Sequence, residues 1–155
     1  MKVAESAREY VVAEALALAE LVPEGDAKLA YQEIAWAADQ GDVPEELSDK
    51  VGELVALAVE TGRARSTHGP AGVRALLSVW RSTPQGRRAA AQIEDLNEAL
   101  TSLAGRTLDR VRVAPLGPGA YSLSIATGDV EIRLSFDRSE ATLRSINVGG
   151  GGTGE

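Results

Sequence analysis

Residues 93–113, IEDLNEALTSLAGRTLDRVRV, carry two hydrophobic rhythms in one short stretch. Up to Gly105 the apolar residues Ile93, Leu96, Leu100 and Leu103 recur at steps of three and four, the period of one helix face. Beyond it Val111 and Val113 recur at a step of two, the period of one strand face. A helix therefore ends at Gly105 and a sheet begins behind it.

Downstream, the two-residue period continues through Tyr121, Leu123 and Ile125, then through Val130, Ile132, Leu134 and Phe136. The connections at 115–119, 127–129 and 137–140 are short and rich in glycine, proline, aspartate and serine, so consecutive strands are expected to be antiparallel neighbours in a meander. A fourth strand is expected over 141–148. Its apolar parity slips between Leu143 and Ile146, which points to a bulge or to an edge twisting away. The glycine-rich stretch 149–155 is expected to form a flexible tail.

Upstream, about five helices are expected. Residues 3–22 place Ala7, Val11, Ala15 and Leu18 on one face, and Pro23 and Gly25 stop the helix. Residues 26–40 repeat the pattern through Leu29, Ile34 and Trp36, with Gly41 as a left-handed cap. Asp42, Pro44 and Glu45 read as the start of a third helix, in which the Asp42 carboxylate caps the first turn and Leu47, Val51, Leu54, Val55 and Ala58 are buried. The stretches 23–41 and 44–62 share proline and glycine punctuation at an offset of 21 residues, but generic helix punctuation explains this without a duplication. Residues 63–69, RARSTHG, read as a polar loop, and a fourth helix is expected from Pro70 with Val73, Leu76, Leu77 and Trp80 inward. Thr83 and Pro84 open the fifth.

The fold class is accordingly α+β, with five N-terminal helices, a four-stranded antiparallel meander and helices on one sheet face. The expected organisation is a single domain over 1–148, helical over 1–105 and a sheet over 106–148, with the tail beyond. A chain of 155 residues can bury one sizeable core without a disulfide or metal staple.

Composition excludes several chemistries. There is no cysteine, hence no disulfide, thiolate nucleophile or cysteine-held metal. Glu5, Glu9 and Glu14 interrupt the stretch where a signal peptide needs an apolar centre, and no long apolar run suits a membrane span, so a cytoplasmic protein is expected. Arginine outnumbers lysine thirteen to three, a habit of high-GC bacterial genomes. Gly149, Gly151 and Gly154 match a dinucleotide fingerprint by letter alone, because no helix can follow them. Ser66 and the single histidine, His68, lack an obvious orienting carboxylate. Asp42, Glu45, Glu46, Asp49 and Glu53 crowd a helix start, where negative charge is favourable without any metal. No catalytic, metal or cofactor residue is assigned.

Charge is sharply segregated. Residues 1–62 hold fourteen acids and four bases, whereas 63–91 hold six arginines and no acid. Those six, Arg63, Arg65, Arg74, Arg81, Arg87 and Arg88, form a candidate basic patch, and neutralisation by the acidic helices is the simpler expectation. A second candidate is a row of Arg112, Arg133 and Arg144 with Ser122 on the open sheet face. Pairing Leu123 with Ile132, and Leu134 with Leu143, would set Arg133 between Ser122 and Arg144. Such a row invites a carboxylate or phosphate, or a protein partner.

The function expected from these features is a non-enzymatic protein-interaction, regulatory or adaptor role through a protein partner or self-association. The alternative is a small-ligand binder or minor enzyme with a pocket between helices and sheet, lined by Tyr31, Trp36 and Tyr121. Nucleic-acid binding through 63–91 ranks last, because overall acidity repels a polyanion.

Overall fold

A computed structural model describes residues 1–137 and 141–148. The turn expected at 137–140 falls largely outside the described residues, and the tail 149–155 falls wholly outside them. Helices α1 (Glu5–Leu21), α2 (Asp26–Gln40), α3 (Glu45–Glu60), α4 (Arg63–Ser82) and α5 (Pro84–Thr101) precede strands β1 (Arg110–Gly117), β2 (Ala120–Ala126), β3 (Val130–Phe136) and β4 (Ala141–Val148). The protein is thus α+β. No helix among the described residues is long and apolar enough to cross a membrane.

The chain divides into two compact units, Met1–Arg88 and Ala89–Glu155, with the division inside α5. Each unit has its own apolar cluster. That of the first unit gathers Val11 and Ala15 of α1, Ile34 and Ala38 of α2, Leu54 and Val55 of α3 and Leu76 of α4, all but absent from the surface. At about 1.5–3 kcal/mol for each large apolar side chain removed from water, these residues hold the helices together.

Three details of this unit correct the sequence reading. Leu29 and Trp36 are 63% and 68% exposed, whereas Ile34 is fully buried. Two residues along a helix is a rotation of roughly 200°, so Ile34 and Trp36 cannot share an inward face. Asp42 does not cap α3; no side chain does. Its carboxylate instead takes Lys2 Nζ at 2.6 Å, beside an isolated bridge between Lys2 and Asp42. Residues 63–68 are helical, not a loop. Ala64 is wholly buried, Ser66 N–H donates to Gly62 O at 3.1 Å, and only Gly69, at φ 66° and ψ −171°, breaks α4 before Pro70 restarts it. The backbone at Gly69 occupies a region open essentially to glycine alone.

In the second unit, the strand order is β1-β2-β3-β4 with every neighbour antiparallel, the expected meander. Leu96 and Ala99 of α5 pack with Val130, Ile132 and Leu134 of β3, flanked by Leu123 of β2 and Leu143 of β4. This face of the sheet is therefore covered by α5. The cluster takes no residue from β1, and Val111 and Val113 there are 56% and 65% exposed.

Candidate anion-binding face

Side chains on paired residues of a sheet share a face, so the register decides which residues meet. Leu123 pairs with Leu134, not with Ile132, and Leu134 pairs with Leu143 as expected. The β2–β3 register differs from the expected one by two residues. Parity is unchanged, and the arginines remain opposite the α5 side, but their neighbours differ. Arg112 on β1 lies across from Ser124 on β2, and Ser124 lies across from Arg133 on β3. A serine thus separates Arg112 from Arg133.

The parity slip in β4 is a bulge. Arg133 pairs with Ser145 and Leu134 with Leu143, which leaves Arg144 as the extra residue without a register partner. The insertion returns Ile146 opposite Ile132, whose side chain belongs to the α5-covered cluster. It also leaves Arg144 on the open face, where its Nε donates to the Ser135 hydroxyl at 2.8 Å. Ser135 is 5% exposed.

The result is an open groove of about 430 Å³ whose polar lining is Arg112, Ser122, Ser124, Arg133, Ser135 and Arg144. All four residues of the expected row line it. Sequence reasoning missed Ser124 and Ser135, although their parity with Ser122 would have placed them on the same face. Ser122 donates to Ala114 O at 3.4 Å. Glu131 sits on the same face, 3.3 Å from an Arg133 Nη and 3.9 Å from an Arg110 Nη. Among the described residues, neither Arg112 nor Arg144 has a carboxylate within ion-pair distance. Guanidinium groups only donate hydrogen bonds, and their planar fork suits carboxylate and phosphate oxygens.

The six arginines of the basic segment divide evenly. Arg63 binds Glu14, Arg87 lies 3.4 Å from Glu45 and Arg88 lies 3.9 Å from Asp49. Half of the basic segment is thus matched by acids of α1 and α3. Arg65, Arg74 and Arg81 are exposed and have no ion pair among the described residues.

Glu14 is a group that sequence reasoning overlooked as a site. It is 1% exposed on α1, accepts from Arg63 through Oε2, and meets His68 Nε2 through Oε1 at 2.8 Å. The Tyr10 ring stands edge-on to the imidazole at 5.2 Å between centroids, and a side chain at Gly72 would collide with it. A carboxylate on the apolar stripe between Val11 and Ala15 was the available signal. The carboxylate that orients His68 therefore exists, but Ser66 Oγ bonds Arg63 O at 3.0 Å and does not join the pair. Among the described residues no three His, Asp or Glu side chains converge as a metal site, and Glu45 and Asp49 face arginines instead.

The three aromatic residues named for a pocket divide between the two units, Tyr31 and Trp36 in the first and Tyr121 in the second. Trp36 is exposed, and the Tyr31 ring takes Lys50 Nζ at 5.4 Å from its centroid. A different groove, of about 460 Å³, is lined by Asp95, Glu98, Arg106, Leu143, Ile146 and Val148.

The fold and this face describe a class of surface: an α+β protein whose open sheet presents cationic donors in excess of acceptors. Comparison of the chain with family models, with curated proteins and with solved structures gives no match.

Proposed function

We propose that the protein is a non-enzymatic interaction or adaptor protein of the cytoplasm, which holds an anionic segment of a protein partner on the arginine–serine face. One observation carries this reading: Arg112, Arg133 and Arg144 line a single groove with three serines, and neither Arg112 nor Arg144 has a carboxylate within ion-pair distance among the described residues. The guanidinium groups on this face outnumber the one carboxylate of its strands, Glu131, so an arriving anion relieves their mutual repulsion. Glu131, on the same face, is engaged by Arg133 and Arg110.

A second reading places a small ligand in the groove between α5 and β4. Its support is a lining that combines apolar Leu143, Ile146 and Val148 with charged Asp95, Glu98 and Arg106.

The test is affinity purification of the tagged protein from its source organism beside an Arg112→Gln/Arg133→Gln variant, with quantitative mass spectrometry. Proteins recovered by the wild type and lost from the variant support the reading. Equal recovery on both overturns it, as does an absence of partners together with a monomeric size at high concentration.

A further inference from the structure

We infer that the anion taken by the sheet face is a phosphate monoester on a serine or threonine side chain of the partner, an inference that rests on the partner-binding reading above. Ser124 is the centre of the arrangement, since it lies in register between Arg112 and Arg133. Neighbouring strands are about 4.8 Å apart, so those two arginines start roughly 10 Å from each other. Each side chain is long enough to lean inward, and both guanidinium groups can reach one anion centred over Ser124. No hydrogen bond is formed by the Ser124 hydroxyl among the described residues, so its proton is available to the same anion.

Arg144 closes a third side. The β4 bulge gives it no cross-strand partner, and the bond from its Nε to Ser135 ties down a guanidinium that lines the groove and keeps its Nη donors for a ligand. A fixed guanidinium loses less freedom on binding than a free one, which favours a small, multiply bonded target.

Charge then selects among anions. Arg112, Arg133 and Arg144 contribute three positive charges to the groove, and Glu131 beside it is shared between Arg133 and Arg110, so a surplus of at least two remains. A single carboxylate brings one charge and two oxygens. A phosphate monoester brings about 1.5 to 2 negative charges near neutrality and three acceptor oxygens, which matches both the charge and the spread of donors. An acidic helix would need several carboxylates at matching spacing over this small area.

The test uses fluorescence anisotropy of the full chain with a short labelled alanine–glycine peptide carrying one phosphoserine, beside twins bearing serine or glutamate. The phosphopeptide is expected to bind at least tenfold more tightly than either twin. Its affinity should fall as pH drops through about 6, where the phosphate loses its second charge, while any binding of the glutamate twin persists to about pH 4. Arg112→Gln should weaken the phosphopeptide tenfold or more, and Arg65→Gln should not change it. Because Arg144→Gln also removes a bond to a buried hydroxyl, Ser124→Ala serves as the second variant and should weaken binding several-fold. Equal binding of all three peptides, or a phosphopeptide affinity insensitive to Arg112→Gln, overturns the inference. A glutamate twin that binds as tightly through the same arginines sinks the phosphate assignment and leaves the partner reading standing. Free phosphoserine or inorganic phosphate binding as tightly as the phosphopeptide would instead make the ligand a small metabolite. Failure of the purification experiment above removes the partner reading itself.

Discussion

Arg144 Nε donates to Ser135 Oγ at 2.8 Å, although Ser135 is paired across the sheet with Thr142. The bond exists because the β4 bulge displaces Arg144 from the ladder and lets its side chain cross back over β3. Ser135 is almost fully buried, so its hydroxyl depends on this partner.

Replacing Ser135 by alanine is expected to lower stability by about 1 kcal/mol, the usual net value of such a bond. It should also speed the exchange of the Arg144 Nε proton. Urea unfolding and arginine side-chain NMR read the two effects. An unchanged exchange rate would show that the bulge alone holds the guanidinium in place.

Arg63 and Glu14 should respond asymmetrically to mutation. Arg63→Ala strands a buried carboxylate with His68 as its remaining partner, at a cost of about 3 kcal/mol. Glu14→Leu leaves Arg63, whose side chain is 32% exposed, free to turn toward water, and should cost less than half as much. Denaturant midpoints compare the two. Equal losses would mean that the carboxylate is better hydrated than its burial indicates.

Gly69→Ala should destabilise the protein by about 1–2 kcal/mol, because φ 66° with ψ −171° is strained for any residue with a Cβ. Proline at position 70 discourages the simplest relief, a continuous helix through the break. Thermal unfolding gives the magnitude. A rise in melting temperature would show that the two segments of α4 can merge.

Asp129 and Asp42 predict the acid response. The hydrogen bond from Arg106 holds the Asp129 carboxyl below its ordinary pKa, and Lys2 does the same for Asp42. A carboxylate depressed in the folded state stabilises above its unfolded pKa, and that contribution disappears as pH falls through the lower folded value. The melting temperatures of Asp129→Asn and wild type should therefore differ near neutrality and converge below about pH 4. Both pairs are exposed, so added salt should shrink the difference. A gap that persists at pH 2 would assign the effect to packing.

Much of the fold was legible because periodicity reports burial directly. The change of rhythm at Gly105, the caps at Gly41 and Thr83 and the slip between Leu143 and Ile146 all have local causes, and each is found in the structure: Gly41 is left-handed at φ 82°, and Gly86 N–H donates to Thr83 Oγ1 at 3.2 Å. The helix at 63–68 was not legible. Its one buried apolar residue is Ala64, and what holds Arg63 and His68 is a carboxylate some fifty residues away, which no local window contains.

The open sheet face divides the same way. Alternation by itself determined that Arg112, Ser122 and Arg133 point away from the apolar side, since any register of even shift preserves that parity. Which serine stands between which arginines, and that Arg144 is thrown onto the same face with a bond to Ser135, was decided only by the pairing of whole strands. The reason is physical: a side chain's face follows from its own backbone, whereas its neighbour follows from how the buried leucines and isoleucines of two strands settle against α5.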